Sequence, residues 1–284
     1  MNPRPRRPRP ARGSAARGPA RPALVCVGLL PVMGAADHRA ERVTDAPLGT
    51  PLRCRGPADA EWQAVELPDG YRGFARSLGL APCSAARARR FARAPRLVSP
   101  SGELRAAAGG PVVLRLPLGA RLPVLGRVRG GVRVELPAGG SGVLRGTLAA
   151  RPRRSRPAAL VRHARGCLGV PYLWGGRSGW GLDCSGLVQL AGDLAGLDLP
   201  RDARDQWRCG RAVGAHRAEV LRAGDLLFFG RSASAITHVV IYLGSGNYIH
   251  SLGSVQIHSL RPGDPRYLDS LPAFFRGARR LIFA

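Results

Sequence analysis

Residues 171–188, "PYLWGGRSGWGLDCSGLV", decide how this chain is read. The segment opens as a glycine-rich loop, where missing side chains let the backbone come close to a bound molecule. It ends on Asp183, a residue type that caps helices well. Cys184 follows in what the apolar spacing of "CSGLVQLAGDLAGL" (184–197) predicts as a helix. Partial positive charge at a helix N-terminus favours the thiolate, the nucleophilic form of cysteine. With a histidine able to take its proton, such a thiol is an activated nucleophile. Capping alone would also account for Asp183, at about 1 kcal/mol. The two roles are compatible, because a carboxylate accepts several hydrogen bonds.

Two histidines answer the cysteine. His238 opens "HVVIYLG" (238–244) and His250 closes "NYIH" (247–250). If these strands pair through the turn "GSGN" (244–247), the two side chains share one sheet face. His238 is then the base towards Cys184, and His250 holds its imidazole in the useful tautomer. His38, His163, His216 and His258 lack such company and are read as structural. None of the six cysteines forms a C-x-x-C pair, so a zinc ribbon is unsupported. Those other than Cys184 are read mostly as small buried hydrophobes.

Working outward, "AALVRHARGCLG" (158–169) has helical spacing and stops at Gly169, ahead of Pro171. After "RAGD" (222–225), the runs "LLFFG", "HVVIYLG", "NYIHS" and "VQIHSL" predict consecutive antiparallel strands. Two helices followed by strands make residues 158–284 an α+β unit. Upstream lies a repeat. "PLG" at 47–49 returns at 117–119, and "ELPDGYRG" at 66–73 returns as "ELPAGGSG" at 135–142, offsets of 70 and 69 residues. Short strands with period-two alternation and frequent turn residues predict two small all-β barrels, at 23–83 and 97–150. The arginine-rich segments 84–96 and 151–157 are expected as linkers, and residues 1–22 as a disordered Arg/Pro-rich tail.

The formal charge is +26 over 284 residues, the pI is near 11.7, and the basic residues are all arginine. Such a balance favours acidic partners. No base-reading motif supports specific nucleic-acid binding, and no stretch approaches the about 18 apolar residues that suggest a membrane-spanning helix. "ALVCVGLLPVM" (23–33) precedes Gly34-Ala35-Ala36 and reads either as a first buried strand or as the core of a leader. Pro31 and the length of the basic part favour the strand.

Four ordered blocks, "PYLWGG…DCSGLV", "LPRDARDQ" (199–206), "RAGDLLFF" (222–229) and "THVVIYLGSGNYIHS" (237–251), together resemble the NlpC/p60 cysteine peptidases of bacterial cell walls. The resemblance implies a papain-like α+β fold over 158–284, with Cys184 as nucleophile, His238 as base and His250 as orienting residue. Tyr172 matches a tyrosine that helps the oxyanion site together with the Cys184 backbone N–H. "ELPDGYRGF" (66–74) resembles the bacterial SH3-type domain, which makes the two barrels SH3-like. Members with two such barrels resemble γ-D-glutamyl-L-diamino acid endopeptidases acting on wall peptides with a free N-terminal L-alanine. In them an acidic cluster binds the ammonium group; Asp183, Asp202, Ser185, Glu41 and Tyr71 match it here. A departure is Ala203, where the family commonly carries serine in "RDS". The resemblance implies peptidoglycan-derived peptides as partners and no metal or organic cofactor. A catalytically silent wall-binding protein, and an amidase or acyltransferase using the same Cys–His pair, are the alternatives. A retained N-terminus fits cytoplasmic recycling of imported muropeptides; cleavage after Ala36 fits the envelope.

Overall fold

The computed structural model describes residues 19–57, 60–214 and 220–283, and in it the repeat recurs as topology. The first unit contains β1 (Arg21–Val25), β2 (Leu29–Met33), β3 (Arg42–Pro47), β4 (Pro51–Arg55), β5 (Trp62–Glu66), β6 (Arg72–Arg76) and β7 (Leu80–Pro82). They form one sheet in the order β3-β2-β6-β5-β4-β1-β7. The second unit contains β8 (Arg96–Leu97), β9 (Ser101–Arg105), β10 (Val112–Pro117), β11 (Val124–Val128), β12 (Gly131–Glu135), β13 (Ser141–Arg145) and β14 (Leu148–Ala149). Its main sheet runs β10-β9-β13-β12-β11, and β8 pairs β14 as β1 pairs β7. The two repeated "PLG" segments begin at the ends of β3 and β10, and the repeated "ELP" segments begin at the ends of β5 and β12. The Asp69-Gly70 turn works because Gly70 takes φ +78°, a conformation costly for residues with a Cβ. The run 23–33 supplies most of β1 and all of β2, with Leu24, Val25 and Val32 buried in or beside the first unit's core. The tail expected at 1–22 falls outside the described residues as far as 18, and its last two residues belong to β1.

The segment 84–96, expected as a linker, instead forms helix α1 (Ala85–Arg93). Ser84 caps it by accepting from the Arg87 N–H, and Phe91 is buried. Arginine and alanine are good helix formers, and Arg87 and Arg90 both reach Glu135 at the end of β12. The charge run is thus strapped to the second barrel. The two β units also interlock: Leu48, from the first, sits in the core of the second.

The last unit begins with α2 (Pro157–Arg165), the two-residue strands β15 (Arg177–Ser178) and β16 (Gly181–Leu182), α3 (Cys184–Leu194) and α4 (Ala203–Gln206). The strands β17 (Arg211–Val213), β18 (Leu226–Gly230), β19 (Ile236–Gly244), β20 (Asn247–Leu252), β21 (Ser254–Ser259) and β22 (Phe275–Arg280) form a sheet ordered β17-β22-β18-β19-β20-β21. Every residue of α3 is buried, as expected of a helix apolar on most sides. Leu187, Leu190, Ala191 and Leu194 share a core with Phe228, Val239, Ile241 and Ile249 of the sheet, and Leu118 of the second barrel joins it. Helix α3 is therefore held between the sheet and the barrels, which fixes its N-terminus in space. Among the described residues, no helix is long and apolar enough to cross a membrane.

Candidate active site

Asp183 is the N-cap of α3: its Oδ1 accepts from the Gly186 N–H at 2.7 Å, and Cys184 takes the first helical position. Tyr172 lies on the strand-like approach to this loop, bridging Leu182 and donating its backbone N–H to Gly253 O at 2.8 Å. Ser251 of β20 donates to Leu182 O at 2.7 Å, so the cysteine loop is tied to the histidine-bearing sheet. Gly175 shows why the loop needs glycine. A Cβ there would lie 2.3 Å from Arg42 O, so the loop packs backbone to backbone against the first barrel.

The β19–β20 hairpin forms as its turn sequence predicts, with Ile241 opposite Ile249 and Tyr242 opposite Tyr248. His238 and His250 meet across it: His238 Nε2 and His250 Nδ1 are 2.8 Å apart. That contact engages His238 through Nε2 and not through Nδ1. Cys184 Sγ lies 4.0 Å from the carbonyl oxygen of Thr237, the residue before His238. His250 is buried, and desolvation, followed by the neighbouring His238 and His258, pushes its pKa down to about 2. Burial and these neighbours favour the neutral imidazole, which accepts on one nitrogen and donates on the other.

The chain of rings does not stop there. His250 Nε2 lies 2.8 Å from His258 Nδ1 on β21, so three histidines on three adjacent strands are linked in series. The expectation that His258 lacks such company is corrected, because it bonds the histidine that pairs with His238. β20 and β21 pair with Tyr248 opposite His258 and His250 opposite Gln256, which makes His250 and His258 diagonal neighbours on one face. A histidine in a run already read as the next strand was the available signal. His216 lies outside the described residues.

The carboxylates separate into two groups. Asp183 accepts from Arg201 Nη1 (3.0 Å) and Nη2 (2.7 Å), from the Gly186 and Gly175 N–H groups, and from Ser185 Oγ (3.1 Å). Arg201 also donates to Ser185 Oγ at 2.9 Å and to Thr44 of the first barrel at 3.0 Å. Burial works against the Arg201 charge, but Asp183 outweighs it and holds the guanidinium protonated. Arg201 is the partner that sequence reading passed over. Asp202, by contrast, accepts from Tyr71 OH at 3.3 Å and from Arg204 at 3.3 Å. Glu41 accepts from the Trp174 indole N–H. The first β unit thus places Tyr71 and Glu41 against the α+β unit, at Asp202 and at Trp174 in the loop before Cys184. Ala203 opens α4 directly after Asp202, whose side chain makes no cap bond to the helix. Among the described residues, no group of three or more His, Cys, Asp or Glu is arranged to hold a metal ion.

A model of the NlpC/P60 family matches residues 169–267. A γ-D-glutamyl-L-lysine dipeptidyl-peptidase of Bacillus cereus is 35% identical over 178 residues, which are 60% of this chain and 51% of that protein. An enzyme of the same name from Bacillus subtilis is 46% identical over 86 residues, 30% of this chain and 28% of its own. The chain therefore spans about half or less of the length of these curated relatives. A crystal structure of an NlpC/P60 family protein from Bacillus cereus superposes with a TM-score of 0.73, covering 91% of this chain and 99% of that one at 24% identity. That likeness speaks to the fold, and it extends across the β units as well as the α+β unit. Residues 169–267 are an NlpC/P60 family domain.

Proposed function

We propose that this protein is a cysteine peptidase that hydrolyses peptidoglycan peptides at the γ-D-glutamyl–diamino acid bond, on substrates with a free N-terminal L-alanine. The observation that carries the reading is a cysteine at a capped helix N-terminus whose Sγ reaches the carbonyl of Thr237, the residue before the hydrogen-bonded His238–His250 pair. In this reading the Cys184 thiolate attacks the scissile carbonyl carbon while His238 Nδ1 holds the proton taken from sulfur. The Cys184 backbone N–H and Tyr172 stabilise the oxyanion. The carbon–nitrogen bond breaks as His238 protonates the leaving amine; water, deprotonated by His238, then cleaves the thioester and frees Cys184. His250 accepts the Nε2–H of His238 throughout.

The names of the relatives support the bond assignment, and the wall contributed by the first barrel supports the demand for a free amine. A desolvated ammonium requires carboxylates and hydrogen-bond acceptors around it. Asp202, Glu41 and Tyr71 are the groups we assign to it. Asp183 and Ser185, engaged by Arg201, act by shaping the loop beneath. The test is release of L-Ala-D-Glu from a wall tripeptide. Cys184→Ala is expected to lower turnover by roughly 10³-fold or more, and N-acetylation of the alanine to abolish productive binding. Turnover that survives Cys184→Ala overturns the mechanism; equal turnover of the acetylated peptide overturns the amine requirement alone.

A further inference from the structure

His258 belongs to no part of the chemistry described so far, yet it ends a continuous line of imidazoles that begins at the nucleophile's base. His238 Nε2 to His250 Nδ1 and His250 Nε2 to His258 Nδ1 are each 2.8 Å, and successive rings meet edge to face at 5.1 and 4.9 Å between centroids. Each of these two bonds contains one proton, so a line of neutral rings has two directions. Outward, His238 donates to His250 and His250 donates to His258. Inward, His258 Nδ1–H donates to His250, His250 Nδ1–H donates to His238, and neutral His238 must then carry its own proton on Nδ1, towards the thiol. Only the outward direction leaves His238 able to take the cysteine proton.

We propose that His258 is a positioning residue for the Cys184–His238 pair: its Nδ1 accepts the Nε2–H of His250 and so holds His250 in the tautomer that accepts from His238. This rests on the peptidase reading of the same site. His250 is buried and neutral, with one proton to place, so its tautomer is decided by what its two neighbours accept or donate. The groups around His258 favour acceptance. Tyr248 faces it from β20 with ring centroids 6.1 Å apart, His250 bonds it from the same strand, and the guanidinium of Arg266 acts on it from the segment after β21. Arg266 is itself paired with Asp264, and Tyr267 next to it bridges to Ser259. Burial first, and then Arg266, make a positive charge on His258 unfavourable. When acid does protonate His258, both its nitrogens become donors and the line is driven inward, which switches off the base.

The test uses the full chain with three readouts: tripeptide kinetics, the rate of Cys184 alkylation by iodoacetamide against pH, and long-range ¹H–¹⁵N spectra of ¹⁵N-histidine-labelled protein. His258→Leu is expected to lower kcat about 10- to 100-fold with little change in KM, and to slow alkylation of Cys184 near neutral pH. His258→Asn, whose amide oxygen can stand where Nδ1 stood and cannot be protonated, is expected to restore most of the rate and to extend activity to lower pH. Wild-type His250 is expected to carry its proton on Nε2. A protein with His250 protonated on Nδ1, or a folded His258→Leu variant with wild-type kcat and alkylation profile, overturns the proposal while leaving the peptidase reading intact. Cys184 that alkylates no faster than Cys26 in the wild type overturns both. The tautomer measurement needs no variant, so a misfolded His258→Leu protein leaves the proposal testable.

Discussion

Arg201 and Asp183 are both almost wholly buried, and their ion pair is bidentate, with contacts of 3.0 and 2.7 Å. A buried pair of this kind contributes little net stability beyond what an apolar pair would, but breaking one side leaves a charge stranded. Arg201→Leu removes the guanidinium from Asp183, which still accepts from two backbone N–H groups and the Ser185 hydroxyl. The expected loss is about 3–5 kcal/mol, read as a fall in the urea midpoint with unchanged slope. Activity should fall with it, because the same carboxylate caps the helix that presents Cys184. Arg201→Lys keeps a charge but loses the fork, and should lie between the two. A loss below about 1 kcal/mol for Arg201→Leu, the scale of an exposed ion pair, would mean that the loop is held by its backbone bonds alone. The cap was readable from "LDCSG" because Asp183 adjoins the helix it serves. Its partner was not, because Arg201 lies 18 residues away on a segment with no periodicity to place it.

At the scale of elements, the β19–β20–β21 meander turns three scattered histidines into one line, and it links pH to stability. Folded His250 has its pKa pushed to about 2 from an ordinary 6.5, first by burial and then by His238 and His258. Above pH 6.5 neither the folded nor the unfolded state binds this proton, so the group contributes no pH dependence. Below it the unfolded chain takes up a proton that the folded one refuses. Stability should therefore fall by about 1.4 kcal/mol per pH unit as pH drops below the ordinary value. Thermal melts between pH 7 and pH 5 check this, and His250→Asn should flatten the slope. A wild-type slope equal to that of the variant would refute it. The hairpin itself was legible, since Gly and Asn punctuate two apolar runs. The register of the third strand was not, and register decides whether His258 meets His250 or faces away. β22, with sequence "FRGARR", escaped notice because its arginines hide the alternation, although its Ala278 is buried beside Leu227. The arginine run of α1 misled for the opposite reason: charge suggested a solvated linker, while Phe91 is buried and the helix packs on β1 and β4 of the first unit.

Across the whole molecule, one carboxylate links the second β unit to helix α3. Asp193, on α3, accepts from Arg96 at 3.1 Å and from Arg121 at 3.0 Å, and Arg177 of the loop before Cys184 stands 3.7 Å away. Burial opposes ionisation of Asp193, but Arg121, Arg177 and Arg96 together hold it far below the usual carboxylate range. Arg121 moves the other way, to about 10, because burial and the other arginines outweigh its share of a single carboxylate. The cluster is thus overcharged, with three guanidinium groups to one Asp, and its cohesion depends on that one residue. Arg96 and Arg121 are bridged backbone to backbone, so the side chains that reach Asp193 belong to the barrel's own framework. Asp193→Asn should therefore do more than remove a local bond: it leaves three desolvated cations facing one another and drives the second barrel away from α3. A loss of about 3–5 kcal/mol is expected. Hydrogen exchange should rise together in β8, β14 and α3, while the β18–β19 hairpin stays protected. The two effects discriminate between docking and local strain, since a strained but docked Asp193→Asn protein would lose stability without faster exchange in β8 and β14.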